Sequence, residues 1–453
     1  MDLQGKKVLV VGCGKSGIGA AQLLYQTGAI PVLFDENRDL DVETVREKSR
    51  LGDLVDVVLG AVSEELMGEL SLVVLSPGVP ADTPFVEAFC RARIPVWGEV
   101  ELAWHFARGS VIAITGTNGK TTTTTLVGEI MKRHYESVFV VGNIGTPYTQ
   151  EALSMEDDSV TVAEISSFQL ETTVDFHPAV SAILNITPDH LNRHHTMENY
   201  VAMKESVTKN QTKDDFCVLN FEDPYTRAFG ERCPARVIWF SSRRKLDEGY
   251  YLDGDMICRN LGGGQEELMN VNDMNLIGVH NYENVMAAIA VSAAFGVPVE
   301  HIVPVVKDFK AVEHRIEYVA TKKGVIYYND SKGTNPDAAI QAIRAMRWPT
   351  VLIGGGYDKG SAYDEWIEAF EGKVRLLVLI GQTKEKIAAC AKAHGLDDVV
   401  LADSFEEAMD ICVKNARPGD AVLLSPACAS WGMFPNYEMR GQMFKEYVNG
   451  IEE

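Results

Sequence analysis

The segment that most restricts the fold is Val111-Ile112-Ala113-Ile114, followed at once by Thr115-Gly116-Thr117-Asn118-Gly119-Lys120-Thr121-Thr122. Four apolar residues read as a buried strand. The glycine-rich turn, Lys and Thr then open a helix with Leu126, Val127, Ile130 and Met131 on one face. Such a strand–loop–helix unit cradles phosphate through backbone N–H groups. In that role Lys120 reaches β- and γ-phosphates and the Thr121 hydroxyl ligates Mg²⁺. The general spacing asks for Gly where this chain has Ile114, so a threonine-rich helix start is the plainer alternative. Thr121 to Thr125 are poor helix formers, which points to a demand for hydroxyls or caps.

The same rhythm recurs on either side. Val8 to Val11 lead into Gly12-Cys13-Gly14-Lys15-Ser16-Gly17, a helix from about Ile18 to Thr27, and a strand Pro31–Phe34 ending at Asp35. Another strand, Leu72–Leu75, meets Ser76. The glycine spacing and the acid fit a diphosphate loop at a helix N-terminus. NAD(P), another nucleotide diphosphate and a merely structural turn all remain open. A third series starts near Val325–Tyr328 and passes Pro336 at a helix start. Its strands at 351–353, 376–380, 399–401 and 421–424 alternate with helices near 383–393 and 405–416. Alternation of this kind predicts an α/β protein with parallel sheets. At about 150 residues per domain, the 453 residues divide into 1–99, 100–311 and 312–453. The two outer domains read as Rossmann-like and the central one as P-loop-type. Residues 247–264 read as a hairpin at the edge of the central domain.

Net charge is 42 − 64 = −22, which argues against a general nucleic-acid or anionic-membrane surface. The eight cysteines include no CxxC pair and read as reduced thiols. The longest small-apolar run, Met286–Val297, is too short to span a bilayer. With no signal-peptide pattern before the strand at Lys7, a cytoplasmic setting is expected.

Glu164 closes the strand Val160–Ile165, and Asp189-His190 follow the strand Val180–Ile186. In a parallel sheet both lie at the carboxyl edge where the phosphate loop opens, and a carboxylate with an imidazole there suits Mg²⁺ or Mn²⁺. His194 and His195 read as solvated loop residues. In the third series, Gly354 to Lys359 and Asn329-Asp330-Ser331-Lys332 follow strands, and His314-Arg315 bring cations toward the same region.

Taken together these residues resemble the Mur ligases, which build the peptidoglycan stem peptide. The shortened loop Ile114-Thr-Gly-Thr-Asn-Gly-Lys120-Thr-Thr is similar to that family's ATP loop. Further matches are Gly142-Asn143-Ile144-Gly145, Asn185-Ile186-Thr187-Pro188-Asp189-His190-Leu191, Tyr200-x-x-x-Lys204, His280-Asn281-x-x-Asn284, Glu313-His314-Arg315, Asn329 to Lys332 and Ser425-Pro-Ala-Cys-Ala-Ser430. Within the family, Glu164-Ile-Ser-Ser-Phe-Gln-Leu-Glu171 and the C-terminal Ser-Pro-Ala-Cys-Ala-Ser run resemble the D-glutamate-adding branch.

The resemblance implies an ATP-dependent, ADP-forming ligase that adds D-glutamate to UDP-N-acetylmuramoyl-L-alanine through an acyl phosphate. Gly116, Thr117, Asn118, Gly119, Lys120, Thr121, Thr122, Asn281, Arg315 and Asp330 would bind ATP. Gly14, Lys15, Ser16, Gly17, Asp35, Ser76, Asn143 and His190 would bind the UDP-sugar, with Glu36 and Asn37 also near the uridine. Lys332, Thr334, Lys359, Ser430 and Tyr437 would hold D-glutamate. Thr121, Glu164, His190 and a carbamylated Lys204 would ligate two Mg²⁺ ions, with Mn²⁺ as an alternative. Lys120, Glu164, His190, Lys204 and Lys332 form the implied catalytic set. The expected partners are these two small molecules, without nucleic acid or membrane insertion, and the chain is expected to act as a monomer. Another Mur ligase, a folylpolyglutamate synthase-like amide ligase and an NAD-dependent dehydrogenase are the rival readings. The dehydrogenase leaves Lys120, Glu164 and His190 without work.

Overall fold

Apolar runs too short for helices and flanked by glycine become parallel strands, and among the described residues three sheets result. The computed structural model describes residues 2–310 and 312–452; the domain limits expected at residues 1, 311 and 453 fall outside these. The first sheet holds β1 (Lys7–Val11), β2 (Ile30–Asp35), β3 (Asp56–Leu59), β4 (Leu70–Leu75) and β5 (Val96–Gly98), all parallel, in the order β3-β2-β1-β4-β5. Val8, Leu9 and Val10 are fully buried, as expected for a strand covered on both faces. The strand order reverses between β1 and β4, which leaves a crevice at their carboxyl ends.

The second sheet contains β6 (Ser110–Thr115), β7 (Val138–Gly142), β8 (Val160–Glu164), β9 (Val180–Ile183), β10 (Phe216–Asn220), β11 (Arg236–Ser241), β12 (Gly249–Asp253), β13 (Met256–Asn260) and β14 (Gln265–Asn270). Their order is β14-β13-β12-β11-β10-β9-β6-β8-β7. β6 lies between β8 and β9, so the loops after all three strands meet at one edge. The hairpin expected over 247–264 is β12–β13 and is extended by β14, both pairings antiparallel.

The third sheet runs β15 (Glu317–Lys322), β16 (Val325–Asn329), β20 (Ala421–Leu424), β17 (Thr350–Gly355), β18 (Val374–Ile380) and β19 (Val399–Leu401). Only β15 is antiparallel to its neighbour. Because β20 returns between β16 and β17, the loops after these three strands converge.

One compact unit holds the first two sheets and comprises the chain up to Val271 with Glu283–Val306; the other holds the third sheet and comprises Asn272–Tyr282 with the chain from Lys307. Residues 272–282 are tied to the second unit by Ile277 in its core and by Arg347, which donates to Asn272 Oδ1 (2.9 Å) and to the Tyr282 hydroxyl.

Two expected boundaries move. The first helix spans Lys15–Gln26 instead of starting at Ile18. Gly14, with extended backbone, is its N-cap, and Gly17 lies in the first turn, where a Cβ would meet the Gly12 carbonyl at 1.8 Å. The strand expected to reach Ile186 stops at Ile183. Beyond it the chain bonds to the phosphate loop instead, with Leu184 N–H on Thr115 O and Thr117 N–H on Asn185 O.

Candidate functional site

The loop after β6 is shaped by two glycines at positive φ, Gly116 (147°) and Gly119 (85°). Gly119 caps the helix Lys120–His134 without a side-chain bond. A Cβ on Gly119 would lie 2.1 Å from Asn284 Oδ1, so both conformation and contact require glycine there. The neighbouring loop holds this one from the side. Asn118 N–H donates to Asn185 Oδ1 (2.8 Å), Asn185 Nδ2 returns to Asn118 O (3.0 Å), and Thr117 Oγ1 receives Thr187 N–H (3.0 Å) and meets the Tyr200 hydroxyl (3.0 Å). Lys120 Nζ donates to Gly116 O and Thr117 O, both at 2.9 Å.

The expectation for the threonine run is corrected. Thr123 and Thr124 are fully buried, and their hydroxyls have no partner among the described residues. Thr125 Oγ1 bonds back to Thr121 O (2.8 Å). Only Thr121 and Thr122 stand at the helix mouth, so the rest of the run serves packing.

Glu164 ends β8 beside β6, in register with Ile114. It is 2% exposed; Oε1 accepts Asn143 Nδ2 (2.8 Å), while Oε2 has no partner among the described residues. A buried carboxylate oxygen left unpaired is costly unless a cation meets it. The donor set therefore fits a divalent metal held by Glu164 and Thr121 next to the phosphate loop. His190, at φ 52°, sits at the start of the short helix Leu191–His194 with Nε2 3.4 Å from Asp189 Oδ2 and its ring 4.8 Å from that of Phe168.

Lys204 reaches the same loop from the helix Met197–Glu205. It is 1% exposed, donates to Gly116 O (2.8 Å) and lies 4.7 Å from the centre of the Tyr200 ring. Burial, reinforced by the Lys120 ammonium, pulls its amine well below the usual lysine range. His194 corrects the solvated reading: it is buried, bonds Ser167 Oγ through Nε2 (2.9 Å), and burial lowers its pKa. His195 is exposed and pairs with Asp82 (2.9 Å).

In the first sheet, Gly12 (φ 100°) turns the chain after β1, and Asp35 at the end of β2 accepts Cys13 N–H (3.1 Å) and Asn37 N–H (3.0 Å). Ser76 Oγ lies 3.5 Å from Gly12 O. A Cβ on Gly14 would meet nothing within 4 Å, so the space over this turn is open to a ligand. Beside it, Val11, Gly12, Asp35, Glu36, Gly78 and Phe85 line a cavity of about 230 Å³. Ser16 follows in the first turn of the helix. Lys15 Nζ donates to Gly145 O (2.6 Å), which joins this turn to the loop carrying Asn143. Arg193 makes a second tie that the sequence reading missed. It pairs with Glu171 (2.6 Å) and donates to Val79 O (2.8 Å).

In the other unit, Asp330 follows β16 fully buried, accepting Ser425 Oγ (2.7 Å) and Ile316 N–H (3.2 Å); burial raises it to about 6. The Arg315 guanidinium faces Asp330, His280 and Tyr437 electrostatically, and burial together with Arg315 brings His280 down to about 4. Asn281 anchors its turn through Nδ2 on Ile277 O (2.8 Å). His314 corrects another expectation: it is buried, takes Asn329 Nδ2 on its ring (2.9 Å), and desolvation lowers its pKa, so it brings no cation at neutral pH.

Lys332 and Thr334 follow β16, Lys359 follows β17, and Ser430 and Tyr437 follow β20. Lys332 Nζ is 5.8 Å from the Tyr437 ring centre, and Lys359 Nζ is 4.6 Å from that of Trp431. Ser430 is buried; its carbonyl accepts Phe434 N–H (3.0 Å). Arg440, unforeseen in the sequence, is 0% exposed. It donates to Ser331 Oγ (2.9 Å), Ser331 O (2.8 Å) and Cys428 O (3.2 Å), which locks the loops after β16 and β20 together.

A glycine loop, lysine and buried glutamate at one edge of a parallel sheet define a nucleotide-phosphate site of the ligase or ATPase kind. Comparison with known proteins narrows the class. Residues 6–98 match the MurD-like N-terminal domain of Mur ligases, 114–292 the Mur ligase middle domain, and 314–428 the Mur ligase glutamate ligase domain. A UDP-N-acetylmuramoylalanine–D-glutamate ligase of Lachnospira eligens is 60% identical over 100% of both chains. The protein of that name in Clostridioides difficile is 44% identical, also over 100% of both. Among solved structures, UDP-N-acetylmuramate-alanine ligase MurC of Thermotoga maritima shares the fold at TM-score 0.61 and 18% identity, covering 98% of this chain and 99% of its own. The chain belongs to the Mur ligase family and, within it, to the D-glutamate-adding branch.

Proposed function

We infer that the protein joins D-glutamate to UDP-N-acetylmuramoyl-L-alanine at the expense of ATP. The observation that carries this reading is the edge formed by Lys120, Glu164 and Lys204 around one phosphate loop, in a chain similar to such ligases from end to end. A free carboxylate is a poor acyl donor. Its oxygen attacks the γ-phosphorus, the bond to the bridging oxygen breaks, and ADP leaves. The D-glutamate amine then attacks the acyl carbon and loses a proton, and phosphate departs with the former carboxylate oxygen.

Lys120 and the N–H groups at the helix start, Gly119 to Thr122, stabilise charge on the phosphoryl oxygens, while the N–H groups of Thr117 and Asn118 hold the loop to Asn185. Thr121, Glu164, His190 and Lys204, the last as its carbamate, would hold two Mg²⁺ ions, or Mn²⁺ in their place. Bound there, the metal would supply charge neutralisation to the transferring phosphoryl group. Asn143 orients Glu164. Asn281, Arg315 and Asp330 hold the nucleotide, and Lys332, Thr334, Lys359, Ser430 and Tyr437 hold the carboxylates of D-glutamate. We assign Gly14 to Gly17, Asp35, Ser76, Asn143 and His190 to the UDP-sugar. We also assign the protein to the cytoplasm as a monomer; among the described residues no helix is long and apolar enough to cross a membrane.

Phosphate release in the presence of ATP, Mg²⁺ and UDP-N-acetylmuramoyl-L-alanine tests the specificity. D-Glutamate should drive it, whereas L-glutamate, L-alanine and diaminopimelate should not. Equal rates with both glutamate enantiomers would sink the assignment.

The first glycine loop has its own test. Gly14 has an ordinary backbone (φ −80°) and empty space before it, so Gly14→Val should fold normally. Its side chain should fill the space the diphosphate needs and weaken UDP-sugar binding roughly tenfold or more, on the order of 1.4 kcal/mol, with ATP affinity unchanged. Calorimetric titration with UDP, NAD and ATP on both proteins decides; tight NAD binding by the wild type would favour a dehydrogenase.

A further inference from the structure

The helix Asp364–Glu368 and the helix Lys384–Ala393 pack against each other in the unit of the third sheet. Asp364 and Glu368 are four residues apart, as are Cys390 and His394, the residue that ends the second helix. That spacing puts each pair on one helix face. One ligand atom each from Asp364, Cys390 and His394 lies within 4.8 Å of the others. Tetrahedral zinc, with Zn–S near 2.3 Å and Zn–N near 2.0 Å, needs donors roughly 3.3–3.8 Å apart, so side-chain rotations alone would close the set. His394 turns Nε2 to Asp364 Oδ1 (3.1 Å) and Nδ1 to Glu368 Oε1 (3.8 Å). A metal-bound imidazole turns one nitrogen toward the metal and its other N–H toward a carboxylate; Glu368, 3.8 Å from Nδ1, is longer than a hydrogen bond and would reach it by a side-chain rotation.

We propose that Asp364, Cys390 and His394 form a zinc-binding site, with Glu368 orienting the imidazole and water completing the tetrahedron. The donor set of one sulfur, one nitrogen and one oxygen suits zinc and not Mg²⁺, which takes oxygen ligands. Asp364 and His394 are reachable from solvent, so the ion has an entry path. Binding exchanges the Cys390 S–H bond for S–Zn and releases the proton to solvent. Because the thiolate is the ligand and its proton leaves on binding, affinity should rise with pH.

The similar group Glu101, His105 and Asp175 does not qualify. Both Glu101 oxygens already accept backbone N–H groups, from Val174, Asp175 and Phe176.

The zinc site has a structural consequence. Gly356 N–H bonds Thr383 Oγ1 (3.0 Å) and Lys386 pairs with Asp358 (3.3 Å), so the second helix holds the loop that carries Lys359. The first helix follows that loop in the chain, and zinc would staple the two helices behind it. The proposal stands apart from the ligase reading, since none of its residues belongs to that site.

The test is titration of the full-length protein with Co²⁺ in saturating Mg²⁺. One equivalent should give thiolate-to-cobalt charge-transfer absorption and tetrahedral visible bands, both bleached by one equivalent of Zn²⁺. Cys390→Ser should abolish the charge-transfer band, and His394→Ala should weaken binding roughly 100-fold. Both variants should keep wild-type circular dichroism and ligase turnover with Mg²⁺. A parallel measurement needs no variant: Zn²⁺ should slow alkylation of Cys390, read by peptide mass spectrometry, and not that of exposed Cys90. A wild type without a thiolate–cobalt band, a Cys390→Ser protein that keeps it, or Cys390 alkylation indifferent to Zn²⁺ would overturn the site.

Discussion

Replacing Lys120 with alanine is expected to lower turnover on the order of 10²-fold or more, the scale seen when a preorganised charge stabiliser is removed, while leaving the protein folded. The ammonium already lies on the phosphate loop and needs no rearrangement of the backbone to serve it, since Nζ donates to Gly116 O and Thr117 O. The loop itself does not depend on Lys120. Asn185 clamps Asn118, and Thr187 and Tyr200 hold Thr117. Two bonds to carbonyls at a half-exposed position contribute only about 1–3 kcal/mol together. Steady-state rates with a thermal unfolding curve on the same preparation check both halves. Near-normal turnover, or an unfolded variant, would contradict the role.

Lys204→Ala should lose most activity and retain UDP-sugar binding, and small carboxylic acids such as acetate should restore part of the rate. A side chain 1% exposed, near Lys120 and donating to Gly116 O, is badly placed as a permanent cation: the phosphate loop already has one. Desolvation favours the neutral amine, the form that combines with CO₂. The resulting carbamate reverses the charge and offers oxygen to a hard metal ion. Lys204→Arg keeps the positive charge and forms no such ligand, so it should not recover activity. Circular dichroism and UDP-sugar titration separate this from misfolding. An active, folded Lys204→Arg enzyme would show that an ordinary cation suffices.

What the sequence disclosed was local in character. The loop from Thr115 to Thr122 is a run of consecutive residues whose glycines and lysine state their own geometry, and β6, β8 and β9 place Glu164 and the 185–190 segment at its edge by topology alone. What it hid depends on distant partners. Arg440 looks like a helix surface arginine until Ser331 and Cys428 close over it. His194 is taken from solvent by Ser167, and Arg193 becomes a tie between two loops only because Glu171 and Val79 meet it. Lys204 was identified by resemblance; nothing in its own helix marks it as buried. The unpaired oxygen of Glu164 also exists only in three dimensions, and it is what makes an edge residue fit a metal.

The central claim, that this chain joins two small molecules through an acyl phosphate, is tested most directly by oxygen transfer. UDP-N-acetylmuramoyl-L-alanine labelled with ¹⁸O in both carboxylate oxygens is incubated with ATP, Mg²⁺, D-glutamate and enzyme, and the released phosphate is analysed by mass spectrometry. One ¹⁸O per phosphate is expected, because the oxygen that attacks the γ-phosphorus leaves with it when the amine forms the amide. Phosphate without label, in a reaction that still consumes D-glutamate, would contradict the account.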